Sequence, residues 1–305
     1  MERVAEEVWQ AEEAAHGARL RPVVEPYLAK RSHGRKLPVP DFLFTYYSYS
    51  PASLMMWTPG AGRVLEGRAA QKFLGRKHFI EVDGGVTLDV TSFPRHRVEG
   101  ARWIVALQEQ LQVRPPRFGC FGLHEWAMVY RTKAVRHAQT PLRMKPDDLA
   151  RFVESQRVCC SHYDAFRFFT PDAVPLNSMR PTLADRQRNE QAGCVHVNMD
   201  LYKWAYKFQP WLGSAILADA FLLALELREL DMRASPYDLS ADGYEPIRIE
   251  TDEGRAQYAA LQAGLACRAA PVRASLLQAY RNLLCLVDAC PGQEDVTPGQ
   301  GAVYS

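Results

Sequence analysis

Three short segments of this chain combine acid, base and aromatic side chains at spacings that could do chemistry. The first is Phe118-Gly-Cys-Phe-Gly-Leu-His-Glu-Trp126, where two glycines flank an aromatic residue and His124-Glu125 follow in the first turn of a predicted helix. Glycine permits close backbone approach, and a partly buried Glu125 could serve as acid or base. Equally, Glu125 could only favour the helix dipole while His124 caps a turn. The second is Cys159-Cys-Ser-His-Tyr-Asp-Ala-Phe-Arg-Phe-Phe169. If it is extended, His162 and Asp164 share a face; Ser161 could start a helix instead. Its aromatics could wall a pocket or fill the core, and Asp164 could simply pair with Arg167.

The third is Cys194-Val-His-Val-Asn-Met-Asp-Leu-Tyr-Lys-Trp-Ala-Tyr-Lys207. A helix beginning at Asn198 would align Asp200, Lys203, Trp204 and Lys207. An earlier start would add His196 at the i, i+4 spacing from Asp200. That spacing can place two ligands on one metal or let a carboxylate orient an imidazole. The plain alternative is an amphipathic surface helix with local ion pairs. Two further stretches are polar. Lys30 to Lys36 could grip phosphates or be a solvated loop, and Asp231 to Asp238 could line a pocket from below or be a helix-exit turn.

The elements that must position these residues read as α+β: mostly helical, with a small antiparallel β-rich segment near residues 41–98. A helix is expected over Glu2–Leu20, followed by a turn bracketed by Pro22 and Pro26. Asp41–Tyr49 reads as an aromatic strand. Phe79–Val82 and Val86–Val90 flank the hairpin signal Asp83-Gly84-Gly85. Helices are expected over Glu99–Leu111, Leu123–Thr132, Pro146–Gln156, Met199–Phe208, Trp211–Asp231, Gly254–Ala269 and Pro271–Ala289. Residues 1–290 read as one domain, with 291–305 as a disordered tail.

Composition narrows the function classes. Hydrophobic residues make up 47% and charged residues 24% of the 305, which suits a packed core rather than a disordered chain. The seven cysteines are odd in number and contain no C-x-x-C pair, which argues against a disulfide framework or a thiolate zinc knuckle and fits a reducing cytoplasm. Neither a signal core nor a bilayer-length apolar run is evident, so no membrane role is expected. The first half is basic and the second acidic, which could favour DNA or merely draw the halves together. The P-loop, dinucleotide fingerprint, H-E-x-x-H and G-x-S-x-G motifs are missing.

The stretches Asp41–Tyr49, Phe118–Arg131, His162–Pro171, Asn198–Tyr206 and Leu230–Leu239 resemble a bacterial group, common in actinobacteria, that carries the name 3-methyladenine DNA glycosylase. The resemblance spans about Pro22 to Leu276. It lacks the helix-hairpin-helix glycosylase motif, since Trp211-Leu-Gly-Ser214 opens an apolar helix without a second hairpin glycine. The resemblance implies a DNA-repair enzyme that releases alkylated purines. Such an enzyme flips a base, stacks it and cleaves an N-glycosidic bond. Asp200 would be the main carboxylate and Glu125 its assistant, with His196 and Asp164 beside them. Trp126, Tyr202 and Trp204 would stack the base; Lys203, His124 and His162 would contact it; and Lys30, Arg31 and Lys36 would hold phosphates. A different class is a metal-dependent enzyme acting on a small molecule or modified nucleoside, with ligands drawn from His124, His162, Asp164, His196 and Asp200. A third is a non-catalytic binding protein. The sequence specifies neither a cofactor nor an oligomeric state.

Overall fold

The computed structural model describes residues 1–133 and 140–290. The expected tail at 291–305 lies outside the described residues. The described residues are α+β and mostly helical, 59% helix against 6% strand. In chain order the strands are β1 (Glu2–Val4), β2 (Arg63–Leu65), β3 (Phe79–Val82) and β4 (Gly85–Leu88). The helices are α1 (Glu6–Ser32), α2 (Pro40–Tyr46), α3 (Pro51–Met55), α4 (Val98–Val113), α5 (Leu123–Ala127), α6 (Pro146–Ser155), α7 (Tyr163–Phe166), α8 (Arg186–Asn189), α9 (Val195–Lys207), α10 (Ser214–Arg233) and α11 (Asp252–Ala289). Short 3-10 turns lie between them.

The sheet is mixed, in the order β1-β2-β4-β3. The hairpin β3–β4 forms at the Asp83-Gly84 turn with Val82 opposite Gly85, as the turn signal predicts. Residues 2–4 depart from the helical expectation: they form an edge strand parallel to β2, with Val4 opposite Leu65. A small apolar cluster of Trp9, Trp57, Phe73 and Phe79 packs against this sheet.

Other boundaries also moved. α1 runs through Pro22 and Pro26, and α11 runs unbroken through Pro271. All three prolines are exposed, as are the residues Ala18, Pro22 and Cys267 whose carbonyls lose a helical donor, so water can satisfy them. Asp41–Tyr49, expected as a strand, begins instead with α2. Pro40 occupies the first helical turn, where its missing N–H costs nothing, and the Asp41 carboxylate accepts from the Leu37 N–H and the Tyr27 hydroxyl.

The core is built around α9, which packs between α10 and α11. Every residue from Val195 to Ala205 is buried. It is therefore a central helix and not an amphipathic surface one. Its polar members His196, Asn198, Asp200 and Lys203 must find their partners inside the protein.

Candidate metal centre and its pocket

Two backbone features build one wall of the site. Phe121 and Gly122 both adopt left-handed conformations, with φ of 46° and 70°. For Phe121 this costs about 1–3 kcal/mol. The turn delivers Leu123–Ala127 as a short, fully buried helix, so His124 and Glu125 point inward. Gly193 allows the loop before α9 to press against residue 117: a Cβ there would sit 2.5 Å from the Arg117 carbonyl oxygen.

His124 meets His196 from α9 and Asp231 from the end of α10. The imidazole rings stand edge-to-face with centroids 4.3 Å apart. His124 Nε2 lies 2.8 Å from Asp231 Oδ1, and His196 Nε2 lies 4.0 Å from Asp231 Oδ2. One ligand atom from each of the three falls within 4.8 Å of the others. Behind them, Arg228 Nη1 donates to both Glu125 Oε1 and Asp231 Oδ2, each at 2.6 Å. The Arg228 guanidinium rests on the Phe42 ring, 4.0 Å from its centroid. Arg228 therefore occupies Oδ2 of Asp231 and leaves Oδ1 facing His124. His124 Nε2 and Asp231 Oδ1 form a buried ion pair: burial acts to lower the His124 pKa, but the Asp231 charge and contact outweigh it and raise it.

A second group joins the first through His162, whose ring stacks on His196 at 5.3 Å. His162 caps α7: its Nδ1 accepts from the Ala165 N–H. That lone pair leaves the ring proton on Nε2, which donates to Asp200 Oδ2 at 3.3 Å. Asp200 also accepts from Arg186 at 2.8 Å and from the Tyr47 hydroxyl at 3.2 Å. Lys203 Nζ sits 3.1 Å from Asp164 Oδ2, and Arg186 Nε bonds Glu190 Oε1 at 2.6 Å. The Trp204 ring lies under the Arg186 guanidinium at 5.3 Å. Although His162, Asp164 and Asp200 are also close enough to hold an ion, both nitrogens of His162 are used and each carboxylate has its own cation.

The electrostatics separate the two groups. Burial alone would raise the pKa of Asp200, but Lys203, His162 and Arg186 outweigh it and hold the carboxyl far below its usual range. Asp231 behaves alike: burial opposes its charge, and His124, His196 and Arg228 prevail. Burial drives the His196 pKa well down, with the neighbouring His124 acting in the same sense. His196 is thus a neutral imidazole beside an ionised carboxylate, the state in which both donate lone pairs to a cation.

The first group opens to a cavity of 670 Å³ lined by His124 and His196. That volume suits a small organic ligand. Phe121, Leu123, Val158, Met179 and Val195 give it an apolar wall. Asp231 lies behind the two histidines and does not line it.

The chain matches no family model, no curated protein and no solved structure. The geometry alone therefore carries the reading of the site.

The residues singled out in the sequence fall into three sets. His124, Glu125, His162, Asp164, His196, Asp200 and Lys203 converge on one buried network. Trp126, Tyr202 and Trp204 are core residues: Trp126 and Tyr202 are fully enclosed, and the Trp126 indole N–H donates to the Ala234 carbonyl. Lys30, Arg31 and Lys36 are exposed around the end of α1, where Arg31 pairs with Asp41 at 3.5 Å, and they do not line the cavity. Sequence reasoning passes over Tyr47, Arg186, Glu190 and Arg228, and it treats Asp231 only as part of a pocket-lining or helix-exit run. One signal was available: Arg228 and Asp231 sit three residues apart in the most apolar helix of the chain, where paired charges need an internal purpose.

Proposed function

We propose that the chain is a metal-dependent enzyme acting on a small molecule, with one divalent first-row ion held by His124, His196 and Asp231. The observation that carries this reading is the convergence of one ligand atom each from His124, His196 and Asp231 within 4.8 Å of one another, beside a cavity that both histidines line. Ligand atoms about 2.1 Å from a shared ion stand about 3–3.5 Å from each other, so small shifts from the observed spacing would seat one. Two imidazoles and one carboxylate suit zinc or iron(II), and three protein ligands leave positions open toward the cavity. The ion would act as a Lewis acid, polarising an oxygen of the substrate or lowering the pKa of a bound water. Glu125, Arg228 and Phe42 fix the Asp231 carboxylate from behind, the role that outer partners take around ligating carboxylates.

Elemental analysis of the purified protein tests this reading: about one zinc or iron per chain supports it. A fully active protein without any such ion would refute it. The glycosylase reading that the resemblance implies needs an aromatic stack and an available carboxylate at the pocket. Phe121 is an aromatic ring there, but no carboxylate lines the cavity among the described residues. Release of 3-methyladenine from methylated DNA by the purified protein, abolished in Asp200→Asn, would favour that reading instead.

A further inference from the structure

The charge lining the cavity has one sign. Arg117, Arg157 and Arg255 line it, together with the two histidines, and no Asp or Glu does so among the described residues. The three arginines differ in their commitments. Arg255 is engaged at the start of α11, where it donates to the Ile249 carbonyl at 2.9 Å and pairs with Asp252. Arg117 and Arg157 have no side-chain hydrogen bond or carboxylate partner among the described residues. Elsewhere, arginines that reach a neighbouring element are commonly paired: Arg143 with Glu250, Arg268 with Glu226, Arg63 with Glu12. Two unpaired guanidinium groups on one concave surface repel each other, and an anion between them relieves that cost.

Both arginines lie on segments that meet at the cavity wall. Cys159 lines it as well, half-buried, with its thiol directed to the Gly119 carbonyl. That contact, at 3.4 Å, brings together the two segments that carry Arg157 and Arg117, each two residues from it. The backbone fixes one of them closely. The Arg117 N–H donates to Gln191 Oε1 at 2.7 Å, and Gln191 Nε2 returns a bond to the Arg117 carbonyl. The loop before α9 thus carries His196 into the floor of the cavity and also holds residue 117 at its wall. Phe121 and Met179 also line the cavity and offer an apolar surface.

We propose that the cavity selects a small organic anion, a carboxylate or phosphate monoester with an apolar or aromatic body, whose charged group is held by Arg117 and Arg157. This rests on the metal-centre reading only for the fate of the ligand's other end, which would face the ion at His124 and His196. Anion capture by the two arginines is independent of it. A small molecule fits better than a nucleic-acid strand, because the basic run Lys30 to Lys36 does not line the cavity.

The test is calorimetric binding to the full chain, using phenyl phosphate, benzoate and the uncharged benzyl alcohol as probes. Three proteins are compared: wild type, the double variant R117Q/R157Q, and H124A, each checked for folding by circular dichroism and for metal content. Wild type is expected to bind at least one of the two anions and not the alcohol, and whichever anion binds more tightly identifies the headgroup. R117Q/R157Q should lose about tenfold or more in affinity while keeping the wild-type metal content. Both side chains are exposed, so the double variant should remain folded. Equal binding of benzyl alcohol, unchanged anion affinity in R117Q/R157Q, or no binding of either anion would overturn the proposal. Affinity for single-stranded oligonucleotides that climbs with length past a few nucleotides, with no mononucleotide binding, would overturn it in favour of a polyanion. Failure of the metal reading looks different: wild type would bind the anion and contain no ion.

Discussion

His124 Nε2 and Asp231 Oδ1 lie 2.8 Å apart in the interior as a buried ion pair. Burying two charges is costly, and their mutual attraction offsets that cost only where the geometry is good. A fold would accept that cost where the atoms have another use. Arg228 deepens the arrangement, because it satisfies Oδ2 of the same carboxylate and so orients the other oxygen. The proposed ion would take the place of the His124 proton between the two atoms.

Arg228 is the keystone of this arrangement and gives the first prediction. It is the cation that bonds both buried carboxylates, Glu125 and Asp231. Arg228→Met should destabilise the protein by about 3–5 kcal/mol, since it leaves buried charge without compensation. Urea denaturation measures this. A loss below about 1 kcal/mol would mean that the carboxylates find other partners or become protonated.

The second prediction separates the two His/Asp groups. Asp200→Asn weakens bonds from Arg186, His162 and Tyr47, and should cost about 2–3 kcal/mol of stability, moderated because Glu190 still holds Arg186. Its bound metal should stay at the wild-type level, because both nitrogens of His162 are already engaged. Loss of the ion in Asp200→Asn would move the centre to the second group.

How much of this was legible in the sequence depends on the residue. The spacing of His196 and Asp200 anticipated that they share a helix, once that helix starts at Val195. The start was hard to see because Val195 and Val197 are β-branched and alternate with polar residues, which mimics a strand. Only burial on both flanks by α10 and α11 settles them as helical. Even then the two residues serve different groups: His196 faces Asp231 and the cavity, while Asp200 faces Arg186 and His162. Asp41–Tyr49 misled for a related reason, since an aromatic run reads as a strand, while Pro40 and Asp41 set a helical start. Long-range pairings such as Glu125–Arg228 and His124–Asp231 join residues over a hundred positions apart, and no local pattern encodes them. Trp126 shows the opposite failure, because an aromatic beside two candidate residues is a core side chain bonded to Ala234.

A third prediction concerns pH and lies far from the site. His16 is buried on α1 and bonds the Leu54 carbonyl through Nε2. Burial lowers its pKa below the ordinary 6.5, the Leu54 bond opposes this, and Arg19 adds to the lowering. The unfolded chain therefore takes up the proton first as pH falls. Stability from neutral His16 is fully present above about 6.5 and is lost as pH drops toward the folded-state value. His16→Gln, which retains a donor for Leu54, should flatten the fall in thermal midpoint between about pH 7 and 5 relative to wild type. Identical slopes in the two proteins would exclude His16 as a contributor.

The metal content of the chain and its single-residue variants decides whether His124, His196 and Asp231 form a metal centre. Elemental analysis after purification and incubation with zinc or iron(II) should find about one ion per chain in wild type and in Asp200→Asn. It should find a loss of about tenfold or more in occupancy at limiting metal for His124→Ala, His196→Ala and Asp231→Asn. Wild-type protein that takes up no ion, or an Asp231→Asn variant that binds it as wild type does, would contradict a centre built on His124, His196 and Asp231.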